Sequence, residues 1–166
     1  MALCDEFLKQ ARSLAHRKGR PSQINLRRST SAAYYAVFHL LIHEAVELLV
    51  PAQPSGLRAK ASRAMQHGEI KDICGRFQGA KAPGKLKMLL PHTLSTQLRF
   101  IAKTFVDLQE ERHSADYDIG LKLSQSAALR SVANAEDLFT QWASIRNSDE
   151  ANVFLTALVF GKRWDR

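Results

Sequence analysis

The fold of this chain is decided by residues 29–43, which read STSAAYYAVFHLLIH. They belong to an apolar segment that begins near Asn25 and ends at Leu49 or Val50, where Pro51 closes it. Apolar side chains cover this segment almost all round at helical spacing, so we expect a central helix with other helices packed around it. The uncharged stretch has 15 residues, including two His and two Tyr, and a membrane-spanning helix needs roughly 20. We therefore predict a buried helix of a soluble protein, with no membrane partner.

The same periodicity predicts further helices on both sides of this segment. Their expected bounds are about 3–16, 57–66, 69–77 and 93–112, then from a cap at Ser124 or Ser126 to about Arg146, with Ser148 capping a last helix. An interruption is expected over 114–120, and no stretch alternates as a strand would. The prediction is a single all-α domain over 1–166, an up-and-down bundle of four long helices with a C-terminal helical extension over 148–166.

Residues 51–93 differ from the rest in composition. They contain four of the five prolines and carry eight Lys or Arg against Glu69 and Asp72. We interpret them as a basic, loop-rich insertion in which Lys81, Lys85 and Lys87 lie in a loop after two short helices.

The positive charge is concentrated in one half of the chain. Residues 1–93 carry a net charge of +9, whereas residues 94–166 carry −1. Clustered Lys and Arg are typical of proteins that bind polyanions such as nucleic acid, although solubility alone also explains them. Two cysteines, Cys4 and Cys74, do not form a disulfide framework, and no secretory signal is visible, so we predict a cytoplasmic protein.

Polar side chains form a stripe on the central helix. Arg28, Tyr35, His39 and His43 share one face at helical spacing. In one interpretation the stripe lines a groove that offers a guanidinium to phosphate and an imidazole for proton transfer. In the other it is a buried Tyr–His pair with an arginine at its rim. His39 and His43 have a zinc-like spacing but no third ligand nearby, so no metal site is predicted.

A second polar stretch, RHSADY at residues 112–117, comes at a predicted helix end. Arg112 is either a phosphate ligand or a cation that stabilises the helix dipole, braced by Asp116 or Asp118. Cys74 has positive neighbours that would lower the pKa of its thiol, but a single such cysteine is more often inert.

The two stretches together resemble the HEPN superfamily, the nucleotide-binding domains of higher eukaryotes and prokaryotes. The first motif runs from Arg28 through Tyr34-Tyr35-Ala36 to Phe38-His39, and the second is the R-x-x-A-D-Y signature of small bacterial members at 112–117. The resemblance covers about residues 3–145. It implies a helical bundle, usually a homodimer, whose motif arginines line a cleft at the dimer interface.

Many members of that superfamily are metal-independent ribonucleases, often toxins or phage-defence effectors, and some act with nucleotidyltransferase-fold partners. Their nuclease motif places His four to six residues after Arg, where this chain has Asp116, Tyr117 and Asp118. The nearby His113 lies about 100° around a helix from Arg112. Cleavage would therefore need His39 or His113 as a substitute.

The resemblance thus implies an RNA- or nucleotide-binding homodimer that acts with a protein partner, in a bacterial toxin–antitoxin or defence context and without a cofactor. The alternatives are a metal-independent endoribonuclease toxin, with Arg112, His39 and His113 as catalytic residues, and a structural protein-interaction module. The candidate ligand-binding residues are Arg28, Tyr35, Arg112, Asp116, Tyr117, Lys81, Lys85 and Lys87.

Overall fold

The computed structural model describes residues 2–16, 19–52 and 54–164, without the side chains of 162–164. Within these ranges the chain forms seven α-helices and one 3-10 helix, and no strand. The helices are α1 Leu3–Ala15, α2 Gln23–Leu49, α3 Ser55–Ala64, α4 His67–Arg76, the 3-10 helix Gly84–Met88, α5 Thr96–Tyr117, α6 Gln125–Ile145 and α7 Asp149–Trp164. The predicted all-α helical bundle is confirmed.

Serine side chains begin four of these helices. In each case the serine Oγ accepts a hydrogen bond from the backbone N–H three residues later, which satisfies one of the free donors of the first turn. The distances are 3.3 Å at Ser22, 3.0 Å at Ser95, 3.1 Å at Ser124 and 3.2 Å at Ser148. The caps predicted at Ser124 and Ser148 are confirmed, and the cap at Ser22 starts α2 earlier than expected.

Two predictions that involve candidate site residues are wrong. Helix α5 continues to Tyr117 instead of ending at Arg112, because its next residues include no Gly or Pro and bury Ala115. Lys85 and Lys87 lie in the 3-10 helix and not in a loop, whereas Lys81 precedes that helix.

The chain packs as two compact units, and α2, α5 and α6 contribute residues to both. The first unit comprises Met1–His39 and Thr104–Thr140. Here α1 is joined to α2 by the Ser29 hydroxyl, which donates to the Ala11 carbonyl over 2.8 Å. Tyr34 and Phe105, both fully buried, bring α2 and α5 together with ring centroids 5.5 Å apart. The candidate site therefore rests on a well-packed aromatic core.

The second unit comprises Leu40–Lys103 and Gln141–Arg166. Its core includes the Phe77 ring of the α4 C-cap, set edge-on against Phe154 of α7 with centroids 5.1 Å apart. Arg146 donates to the buried carboxylate of Glu44 over 2.9 Å, and the Ser95 N–H donates to the Glu150 carboxylate over 3.0 Å. The predicted single domain over 1–166 stays a prediction.

Helix α2 is long and apolar enough to span a membrane by length and composition, with a mean hydropathy of 1.2 in its best window. However, 67% of that window is buried inside the structure. The core helix of a globular protein has the same pattern.

Candidate functional site

Arg112 of α5 lies between two tyrosine rings in the first unit. Its Cζ is 5.5 Å from the ring centroid of Tyr35 and 5.7 Å from that of Tyr117. Its Nη2 also donates a hydrogen bond to the Tyr35 hydroxyl over 3.0 Å. Aromatic rings against a guanidinium favour the cation and hold its plane, while the N–H groups at its edge remain able to donate.

Asp116 stands one helical turn after Arg112 and braces it. An Asp116 Oδ2 atom lies 2.7 Å from Arg112 Nε, but the N–H is not aligned with that oxygen, so the contact is an ion pair without a hydrogen bond. The other carboxylate oxygen accepts a hydrogen bond from the Ser31 hydroxyl of α2 over 2.5 Å. The extension of α5 to Tyr117 creates this pairing, because it places Arg112 and Asp116 on one helix face.

The surroundings keep Arg112 charged. Burial acts to lower the pKa of its guanidinium, but electrostatic interactions with Tyr35, Asp116 and Tyr117 and the Tyr35 hydrogen bond act the other way and leave the pKa raised. The Arg112 side chain is still 20% exposed. It is therefore a permanent cation that a ligand in solvent can reach.

The His39 ring lies near the ring of Tyr35, the residue that hydrogen-bonds to Arg112. Its ring stacks on Phe7 of α1, with centroids 5.2 Å apart and planes 1° from parallel, and its centroid is 6.4 Å from that of Tyr35. Burial lowers the pKa of His39 below its ordinary value. The imidazole is therefore neutral near pH 7 and capable of accepting a proton.

His113 takes a different position. Its ring is 5.0 Å from that of Tyr117, one turn later on α5, and its side chain is exposed. Tyr117 thus contacts both His113 and Arg112.

Arg28 is not brought to the site. It is exposed and makes no hydrogen bond or ion pair with the residues that the structure describes. Its neighbour Arg27 faces α5 instead and donates to three backbone carbonyls, one in the last turn of that helix and two just after it. We use the name arginine cluster for five residues that contact one another: Ser31, Tyr35, Arg112, Asp116 and Tyr117.

Sequence reasoning missed Ser31 and Arg27. Arg27 donates to the Ala115 carbonyl over 2.7 Å, to that of Asp118 over 2.8 Å and to that of Leu121 over 2.5 Å. Gln23 exchanges two further hydrogen bonds with the backbone of Leu123, at 2.8 and 2.9 Å. The start of α2 therefore anchors the end of α5 and the turn after it. The sequence shows two adjacent arginines, Arg27 and Arg28, but helical spacing alone does not tell which of them contacts another part of the chain.

The remaining candidates belong to the second unit. Lys81, Lys85 and Lys87 are all exposed. Burial raises the pKa of the Cys74 thiol far above its ordinary value, which supports the inert interpretation of this cysteine. His43 is 3.9 Å from the Glu47 carboxylate, and the described part of the chain has no group of three residues able to hold a metal ion.

Comparisons with known proteins add no information about the function of this site. No protein-family model matches the chain, and neither the curated proteins nor the solved structures include a significant match. The resemblance to the HEPN superfamily therefore rests on the two sequence motifs.

Proposed function

We propose that the arginine cluster binds a phosphate group of RNA or of a nucleotide. In this proposal the chain is a HEPN-like protein that acts as a dimer with a protein partner, such as a nucleotidyltransferase-fold protein, in a bacterial toxin–antitoxin or defence context. The observation that carries it is the position of Arg112, a permanent cation held between two tyrosine rings with its side chain 20% exposed.

The chemistry of this arrangement suits a phosphate. A guanidinium has five N–H donors in a plane, and phosphate oxygens accept such donors in pairs. Tyr35 is the one hydrogen-bond acceptor that the described residues provide for Arg112. Tyr117 is 64% exposed, and exposed aromatic side chains stack on bases in single-stranded RNA complexes.

A structural role for the cluster is the competing explanation. Asp116 offsets part of the charge of Arg112, and the contacts among Ser31, Tyr35, Arg112 and Asp116 join α2 to α5. Such a network specifies how two helices pack without binding any ligand. Binding and stability measurements on the same variants separate the two roles.

The test is a fluorescence-anisotropy titration of a labelled 12-nucleotide single-stranded RNA at several KCl concentrations. Replacing Arg112 by alanine should weaken binding about tenfold and reduce the dependence of log K on log salt by about one unit. The matched control is Arg20→Ala, which removes an exposed arginine of the same unit that lies outside the cluster. Equal effects of the two variants, or no binding by the wild type, would refute the proposal.

The same titration tests the predicted role of the three lysines of the second unit. Lys81, Lys85 and Lys87 replaced together by alanine should also flatten the salt dependence. A lower melting temperature for Arg112→Ala with unchanged RNA affinity would instead identify the cluster as a structural network.

A metal-independent endoribonuclease is the second candidate, and the observation that favours it is His39. Its lowered pKa and its place beside Tyr35 give it the protonation state of a general base. Expression of the wild-type protein should then arrest growth, and His39→Ala or Arg112→Ala should relieve the arrest. If all three proteins are equally harmless, this candidate is eliminated.

A further inference from the structure

An apolar cavity of about 230 Å³ lies in the second unit. Ile73 and Phe77 of the α4 region, Leu86 of the 3-10 helix and Ala157 of α7 form its walls. An apolar cavity of about 150 Å³ is enough to bind benzene. This cavity therefore has room for a larger apolar group, such as a substituted ring or a chain of about eight carbons.

The shape of the cavity depends on a close approach of α4 and α7. A Cβ atom at Gly161 would lie 2.3 Å from Ile73 Cδ1, so the two helices touch at this point only because glycine has no side chain. Ala157, one helical turn before Gly161 on α7, also lines the cavity. One wall of the cavity is therefore formed where α4 and α7 pack closely.

The rim of the cavity carries positive charge. Lys85 and Arg76 line it, and no acidic residue does among the described residues that form its wall. Leu89, which is 62% exposed, lies at the open side. An apolar interior next to cations matches a molecule with an apolar body and one negative group.

We propose that this cavity binds a small anionic amphiphile, a carboxylate on an apolar body of about eight carbons. The apolar part fills the space between Ile73, Leu86 and Ala157, and the carboxylate meets Lys85 at the rim. The site is independent of the arginine cluster, which belongs to the first unit.

Octanoate and 1-octanol are suitable probes, because they share the chain and differ in the charge of the head group. Binding is followed by NMR through the δ1 methyl of Ile73, with the exposed Ile24 of the first unit as the reference methyl. Octanoate should shift the Ile73 signal saturably at up to a few millimolar and leave the Ile24 signal unchanged. No saturable shift would overturn the proposal.

Two lysines provide a matched pair for the charge. Lys85 lines the cavity and Lys87, two residues later in the same 3-10 helix, does not. Lys85→Ala should weaken octanoate binding about three- to fivefold, as expected for an exposed ion pair, and leave 1-octanol binding unchanged. Lys87→Ala should change neither. Equal effects of the two substitutions on octanoate would overturn the assignment of the carboxylate to this rim.

A second pair of variants tests the location. Ala157→Leu fills the cavity and should abolish the binding of both probes. If that variant does not fold, Leu89→Glu at the exposed open side serves instead, because a carboxylate there repels octanoate and should weaken it about fivefold more than 1-octanol. Unchanged octanoate binding in the folded variant would show that the probe binds elsewhere.

Discussion

Arg27 is expected to contribute more to stability than any other exposed or half-buried arginine whose contacts are described. Its guanidinium donates to the carbonyls of Ala115, Asp118 and Leu121. A hydrogen bond from a charged group contributes about 1.5–3 kcal/mol, and a buried carbonyl left without a donor costs about 1–3 kcal/mol. Ala115 is only 1% exposed, so water does not easily replace the donor at its carbonyl, whereas Asp118 is exposed.

Counting the Ala115 contact in full and the other two as partly replaced by water, Arg27→Met should lower the free energy of unfolding by about 2–4 kcal/mol. For a chain of this size the melting temperature should fall by roughly 5–15 °C. Methionine keeps the apolar part of the side chain, so the loss reports mainly on the hydrogen bonds.

Urea unfolding followed by circular dichroism measures this change, and hydrogen exchange locates it. Backbone amides at the end of α5 and in residues 118–123 should exchange faster in Arg27→Met. Arg28→Met is the control, because Arg28 is exposed and has no described partner, and its effect should stay within about 0.5 kcal/mol. Equal destabilisation by both variants would refute the reasoning.

Two further predictions concern His39 and Gly161. Burial lowers the pKa of His39 in the folded state, whereas the unfolded chain keeps a value of about 6.5. Because the unfolded state binds the proton more tightly, the free energy of unfolding falls as the pH drops through 6.5 towards the folded pKa. His39→Phe, which preserves the ring stack on Phe7, should remove this loss in urea unfolding at pH 7.5 and 5.5; an unchanged pH dependence would contradict the prediction. Gly161→Ala should cost about 1–3 kcal/mol because its Cβ would lie 2.3 Å from Ile73 Cδ1, and the cost should shrink in an Ile73→Val background, which lacks that atom. The control is Gly75→Ala, whose Cβ meets nothing within 4 Å and which should be neutral or stabilising by up to about 1 kcal/mol. If the Gly161 and Ile73 substitutions are strictly additive in thermal unfolding, the proposed clash is wrong.

Helix formation could largely be predicted from the sequence, because its signals are local. Apolar periodicity located the helices, and Ser124 and Ser148 capped the helices predicted to follow them. The end of α5 could not be predicted in this way. Arg27, which is 88 to 94 residues away in the chain, donates to the Ala115 carbonyl in the last turn of α5 and to the Asp118 and Leu121 carbonyls just after it. No pattern within a single helix encodes these contacts.

The candidate site, too, could be predicted from the sequence only in part. The residue types of RHSADY at 112–117 and of the tyrosines on α2 drew attention to Tyr35, Arg112, Asp116 and Tyr117, and the structure brings these four together. It does not bring Arg28 to them, and it adds Ser31. The RNA titration measures whether the arginine cluster binds a phosphate.

By itself, the sequence determined an all-α chain around the apolar stretch 29–43, because burial of apolar side chains and the conformation of each turn depend on residues close together in the chain. Only the tertiary structure decided between Arg27 and Arg28. Adjacent residues of a helix point about 100° apart, so the Arg27 guanidinium meets carbonyls at and just after the end of α5, while that of Arg28 meets solvent, although both have the same chemistry.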